Sequence, residues 1–264
     1  MLTADTSARR KLAIDRTHLP YDTDRGTGAR ARIGAIVLAT DHTMEHEWRA
    51  MLALPGVDFY VARIWNDAQI TPATLQALGA DIAPATRLIL PNDERLDSVA
   101  FACTSGAMVL GDDFVAAEIH KHRPGVPVTS PMRAGIAALQ ALGLKRIALL
   151  TPYMQVINDM MRAHIEARGV EVTAMGSFNN PDDLVASSIS PETLLRAATE
   201  LGRAPEVDGV FVSCSSFRAA GIIERLEEAT GKPATASNHA MAWHALRLAG
   251  YRDPVTGWGR LFTL

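Results

Sequence analysis

From residue 32 onward, short apolar runs alternate with longer stretches in which apolar residues return every three or four positions. The runs are IGAIVLA (33–39), VDFYVARI (57–64), SVAFAC (98–103), RIALLT (146–151), VEVTAMGSF (170–178) and VDGVFVSC (207–214). They are short and rich in β-branched residues, so they predict strands, and the stretches between them predict helices. Strands alternating with helices belong to the α/β class and pair into parallel sheets. Residues 1–29, with Asp22, Asp24, Gly26 and Gly28 among several arginines, show neither period and predict an arm or loop.

The pattern occurs twice. Arg32-Ile33-Gly34-Ala35-Ile36 overlays Arg146-Ile147-Ala148-Leu149-Leu150, and SVAFACTSG (98–106) overlays DGVFVSCSS (208–216). Gly125-Val126-Pro127-Val128-Thr129-Ser130 then overlays Gly231-Lys232-Pro233-Ala234-Thr235-Ala236-Ser237, and each is followed by an alanine-rich helix. The offsets, 114, 111 and 106 residues, are those of one duplicated unit with small insertions. Ligands of parallel sheets sit at the carboxyl ends of strands. Cys103 and Cys214 both hold that position, and two lobes related by an approximate two-fold axis would place them on opposite walls of one cleft.

Composition narrows the partners. Apolar residues make up 48% and charged residues 21% of the 264, proportions of a globular protein able to bury a sizeable core. A net charge of −3 with no basic cluster interleaved with aromatics argues against nucleic acid. No apolar run is long enough for a bilayer, and Met1–Arg10 lacks the apolar segment of a secretory signal, so a cytoplasmic protein without a membrane partner is expected. Its two cysteines would stay reduced.

A single cysteine at a strand end is usually a small packed hydrophobe. Two at equivalent positions, each ahead of an expected helix (Gly106 onward and Phe217 onward), suggest chemistry, with helix N-termini lowering the thiol pKa. Thr104, Ser105, Ser215 and Ser216 either cap those helices or hold a substrate carboxylate. An opposed thiolate and thiol can move a proton from one face of a carbon to the other without a cofactor. A thiolate can equally add to an activated double bond, permit rotation and leave.

At these residues the chain resembles the aspartate/glutamate/hydantoin racemase superfamily. Within it the resemblance is to the group of maleate cis-trans isomerases, arylmalonate decarboxylases and ectoine-utilisation racemase-like proteins, over roughly residues 32 to 260. FACTSG (101–106) and VSCSS (212–216) are similar to the two cysteine motifs of the group. The resemblance implies two pseudo-symmetric Rossmann-like, flavodoxin-like lobes with the active site in the cleft between them. One lobe would comprise 30–130 with 235–264, the other 131–234. It implies Cys103 as nucleophile and Cys214 as its counterpart on the opposite side. LTPY (150–153) implies substrate contact by Tyr153, SFNNPDD (177–183) by Asn180 in preference to Asn179, and SNHA (237–240) by Asn238. Tyr153 alone would be an ordinary loop aromatic, and Asn238 a helix cap.

One position departs from the group. IVLATDHTMEHEW (36–48) places Asp41 where maleate isomerases carry an asparagine for the substrate carboxylate. Asp41 either faces an amino or hydroxyl group of a different substrate, is protonated, or merely caps the helix starting near Thr43. The segment resembles the ectoine-utilisation branch, which implies a diaminobutyrate or hydroxyectoine derivative as substrate. Two other signals carry no function. Gly26-Thr27-Gly28 precedes a strand instead of following one, so it is not a dinucleotide loop, and His42, His46 and His239 have no partner at metal-ligand spacing.

The sequence thus predicts a cofactor-independent two-cysteine isomerase or racemase acting on a small carboxylate or amino acid, with a homo-oligomer expected from the frequency of symmetric dimers. Maleate isomerisation by covalent addition is the alternative within the group. Decarboxylation is disfavoured because arylmalonate decarboxylases use a single cysteine. A non-catalytic two-lobed binding protein is the alternative from another class.

Overall fold

The computed structural model describes residues 13–264 apart from 15 and 92–94. The expected arm therefore lies partly outside the described residues; its described part forms no helix or strand. The first half runs β1 (Ala31–Leu38), α1 (Met44–Met51), β2 (Val57–Ile64), α2 (Pro72–Ala77), α3 (Gly79–Leu88), β3 (Ser98–Ala102), α4 (Thr104–Leu110), α5 (Asp112–His120) and β4 (Val128–Thr129). After α6 (Pro131–Ala141) the second half runs β5 (Arg146–Thr151), α7 (Gln155–Glu166), β6 (Glu171–Ser177), α8 (Asp183–Ser188), α9 (Pro191–Gly202), β7 (Gly209–Val212), α10 (Ile223–Thr230), β8 (Ala234–Ala236) and α11 (Ser237–Leu248).

Each half forms one four-stranded parallel sheet, ordered β2-β1-β3-β4 and β6-β5-β7-β8. The α/β class, the parallel sheets and the duplication follow the sequence pattern. Two strands were not among the predicted runs. β4 and β8 are two and three residues long, too short to show a period, and they pair only with β3 and β7.

Helix starts follow local chemistry. Ser130 and Ser190 accept from the N–H of Arg133 and Thr193, with Pro131 and Pro191 next in line, where a missing N–H costs nothing. A large apolar core joins both sheets through Ile36, Phe101, Met132, Leu149 and Phe211. A second core covers the outer face of the first sheet, where Ile33, Ala35 and Val37 meet Trp48, Met241 and Leu246. The closing helices cross over. α6 lies on the second sheet, where a Cβ at Gly135 would come 2.7 Å from the Phe211 ring. α11 follows β8 of the second sheet yet packs on the first, with Ser98 of β3 donating to the Ala245 carbonyl at 3.1 Å. No helix among the described residues is long and apolar enough to cross a membrane.

Candidate active site

The carboxyl ends of both sheets converge on one pocket. Its walls include Leu38 after β1, Asn66, Asp67, Gln69 and Ile70 after β2, Cys103 and Ser105 after β3, Tyr153 after β5, Asp183 after β6, and Cys214 and Ser215 after β7. Empty space there amounts to about 390 Å³ with the mouth included. The two halves touch over it. Ile70 donates to the Pro181 carbonyl at 2.9 Å and Asp183 to the Ala68 carbonyl at 3.1 Å.

Cys103 is the N-cap residue of α4, and its Sγ accepts from the Gly106 N–H at 3.2 Å. The fit is close, since a Cβ on Gly106 would stand 2.8 Å from that sulfur and 3.0 Å from Leu78. Cys214 has no helix behind it. An irregular segment leads to a 3-10 turn at Ala220–Ile222 before α10, which corrects the expectation of a helix from Phe217. Its Sγ accepts from the Ser216 N–H at 3.4 Å, and the nearby Tyr153 hydroxyl favours its charged form.

The thiols are 4% and 3% exposed. Burial pushes both up to about 12, against these weaker hydrogen bonds. The expected thiolate-favouring effect of helix N-termini is thereby overridden, because desolvation of a sulfur enclosed by two lobes outweighs a few N–H dipoles. Tyr153 is raised as well, first by burial and then by the charge of Cys214. A proton on either sulfur is thus held until something in the pocket changes the local charge.

Of the residues singled out in the sequence, Cys103, Cys214, Tyr153, Ser105 and Ser215 line the pocket together. The others are not among its lining residues. Thr104 donates to the Ser237 hydroxyl at 3.0 Å, tying α4 to α11. Ser216 donates to Asp183 at 2.6 Å. Asn180 accepts from the Asp182 N–H at 2.8 Å and shapes its own turn. Asn238 donates to the Ser215 carbonyl at 2.7 Å and to Glu47 at 2.8 Å, so it holds the Cys214 segment from outside. Asp41 takes the capping role, its Oδ1 accepting from the N–H groups of Thr43 and Met44 at 2.7 Å each. Its Oδ2 is buried without a hydrogen-bond partner, and burial raises its pKa to about 6.

Sequence reasoning missed Asp183 and Glu47. Asp183 lines the pocket and accepts from the hydroxyls of Thr40 and Ser216 at 2.8 and 2.6 Å. Its signal was the pair Asp182-Asp183 ahead of α8: Asp182 caps the helix, leaving the second carboxylate without a local task. Glu47 accepts from the Ala220 N–H at 2.7 Å and from Asn238, and burial pushes it up to about 7. His239 is a satisfied core residue between Thr235 and the Trp258 carbonyl.

The chain is 27% identical over 246 residues to the maleate isomerase of Alcaligenes faecalis, covering 88% of this chain and 96% of that protein. It is 30% identical over 140 residues to the arylmalonate decarboxylase of Bordetella bronchiseptica, covering 52% and 58%. A mutant of the Nocardia farcinica maleate cis-trans isomerase with a covalently bound succinylcysteine intermediate superposes with a TM-score of 0.79 at 26% identity, covering 88% of this chain and 98% of that one. None of these names ectoine or its derivatives. The family described as arylmalonate decarboxylase matches residues 62–262. With its two parallel sheets and a pocket at their carboxyl ends, the chain belongs to the arylmalonate decarboxylase (Amdase) family.

Proposed function

We propose that the protein is a cysteine-dependent cis-trans isomerase of a short unsaturated carboxylate, acting by covalent addition as its maleate isomerase relatives suggest. The observation that carries this reading is the placement of Cys103, Cys214 and Tyr153 on the walls of one pocket closed by both halves. Cys103 loses its proton to solvent as substrate enters and regains one after product leaves; in between, its thiolate sulfur bonds to one alkene carbon while the π pair moves to the neighbouring carbon, α to the carboxylate. The central bond is then single and rotates. The pair returns as the trans double bond forms, the C–S bond breaks and the thiolate is released. Cys214, with the Tyr153 hydroxyl nearby, lends a proton to the carbanionic carbon and takes it back. Ser105 and Ser215 face the substrate carboxylate from the pocket wall.

A second reading rests on the departure at Asp41. An amino acid or an ectoine-derived substrate would be racemised by proton transfer between Cys103 and Cys214. Mass spectrometry of the protein incubated with maleate and with other cis-enoates separates the two. A mass increase equal to the alkenoic acid, present in Cys214→Ser and absent in Cys103→Ser, supports addition. Solvent deuterium entering the α-carbon of a saturated amino acid, with no adduct, supports racemisation. Carbon dioxide release from an arylmalonate would assign the decarboxylase activity instead.

A further inference from the structure

Among the described residues the pocket is lined by acids and by no base. Asp67 and Asp183 are among its lining residues, and none of the described residues that line it is Lys, Arg or His. Asp67 stands at the exposed rim, accepting from the Gln69 N–H at 2.8 Å. Asp183 is 6% exposed and forms part of the inner wall. Its two oxygens take one hydroxyl donor each, from Ser216 and Thr40. A carboxylate has about four acceptor positions, so half of its capacity is open. Among the described residues no ion pair neutralises it.

A second acid lies nearby. The buried, unpartnered Oδ2 of Asp41 is close enough to Asp183 for the two charges to interact. Arg63, whose charge reaches Asp41, is committed to the Leu38, Ala39 and Asp41 carbonyls and to Glu45. The charge of Asp183 also reaches both cysteines and Tyr153. A dicarboxylate would add two negative charges beside a carboxylate that is 6% exposed and therefore weakly screened.

We propose that the pocket selects a zwitterion: a short carboxylic acid whose opposite end carries a protonated nitrogen that docks on Asp183. The carboxylate end faces the hydroxyls of Ser105 and Ser215. This names the substrate class of the isomerase site described above and rests on that reading. The cationic end offsets the charge that opposes ionisation of the thiols, so the substrate itself eases formation of the thiolate that attacks it. A dianion has the opposite effect, which separates this chain from relatives named for maleate.

Calorimetric titration of the wild type with 4-aminobutanoate, succinate and butanoate tests the selection without any turnover. The expected result is 4-aminobutanoate binding at least ~10-fold more tightly than the other two, a ratio set by one charge-assisted contact of about 1.4 kcal/mol or more. Asp183→Asn should abolish that preference. Succinate binding as tightly as 4-aminobutanoate, no measurable 4-aminobutanoate binding, or an unchanged ranking in Asp183→Asn would each overturn the proposal. The wild-type ranking decides by itself if Asp183→Asn does not fold. NMR assays of cis-4-aminobut-2-enoate and maleate keep the two readings apart. The expected ranking with neither alkene isomerised retains the zwitterion and removes the isomerase. A higher kcat/KM for maleate than for the amino acid retains the isomerase and removes the zwitterion.

Discussion

At the amino ends of their central strands the two halves are built alike, and at the carboxyl ends they differ. Arg32 and Arg146 open β1 and β5, and each gives its N–H to an aspartate ahead of the neighbouring strand, Asp97 at 2.8 Å and Asp208 at 3.0 Å. Each aspartate returns its own N–H to the arginine carbonyl, at 2.8 and 2.7 Å. At the other end Cys103 is fixed by residues within three positions of itself, through the Gly106 N–H and the turn into α4. The segment after Cys214 is fixed from afar. Asn238 holds Ser215 across 23 residues, and Glu47 holds Ala220 across 173. A duplicated unit therefore keeps its strand entries, where one carboxylate satisfies two strands, and rebuilds its loops, where the surroundings of each copy differ. Both thiols accept from an N–H within three positions, but the chain beyond Cys103 winds at once into a helix while the chain beyond Cys214 relies on distant anchors.

Glycines give the sharpest way to break that comparison. Gly106→Ala drives a methyl into the Cys103 sulfur, whereas a Cβ on Gly221, in the segment after Cys214, meets nothing within 4 Å. Turnover should fall by about 10²-fold or more in Gly106→Ala, the scale expected when a reacting group shifts by about 1 Å. It should stay within about two-fold in Gly221→Ala, and steady-state kinetics of the two variants checks both. Equal losses would mean that the Cys103 turn is no more local than its counterpart.

The next effect is a pH dependence. Glu47 rises from 4.5 to about 7 because burial disfavours its charge. The folded state then binds the proton more tightly than the unfolded state does. The stability it contributes is complete below about pH 4.5 and is lost as pH rises through about 7, an amount of about 3 kcal/mol. Urea unfolding between pH 5 and pH 8 should show this slope in the wild type and its loss in Glu47→Gln.

Smaller still is Asn238→Ala, which frees the Ser215 carbonyl and leaves Glu47 one donor short. We expect about 2 kcal/mol of destabilisation with a drop of roughly 10-fold in kcat. Its counterpart on the first half, Thr104→Ala, loses one neutral hydroxyl pair to Ser237, so about 1 kcal/mol and an unchanged kcat are expected. Thermal denaturation with parallel assays reads both. A kcat loss in Thr104→Ala equal to that in Asn238→Ala would erase the distinction between the two anchors.

What the sequence made legible follows the same division. The six long strands, the duplication and the cysteine positions were readable because each is carried by residues adjacent in the chain. β4 and β8 were not, because strands this short exist only through their neighbours β3 and β7. Thiol acidity was misjudged because a helix terminus is a local feature, while desolvation is set by how both lobes close. Asn238 was legible as a motif residue, but its contact with Glu47, 191 positions away, was not. Asp183 stayed hidden beside Asp182, whose capping role accounts for an acidic pair at a helix start.

The crossover of α11 bears on how the chain is made. The outer face of the first sheet is covered by α1 through Met44, Trp48 and Met51, and by Met241, Leu246, Leu261 and Phe262, which follow the whole second sheet in the chain. During synthesis the first-made half must wait with Ile33, Ala35 and Val37 covered on one side only, by Trp48 and its neighbours on α1, until α11 has been made, a span that favours aggregation or chaperone capture. The second half carries its own covering helix, α6, ahead of its first strand and needs no such delay. Ribosome-bound chains halted before residue 237 should therefore protect the second sheet from proteolysis and leave the first open to it.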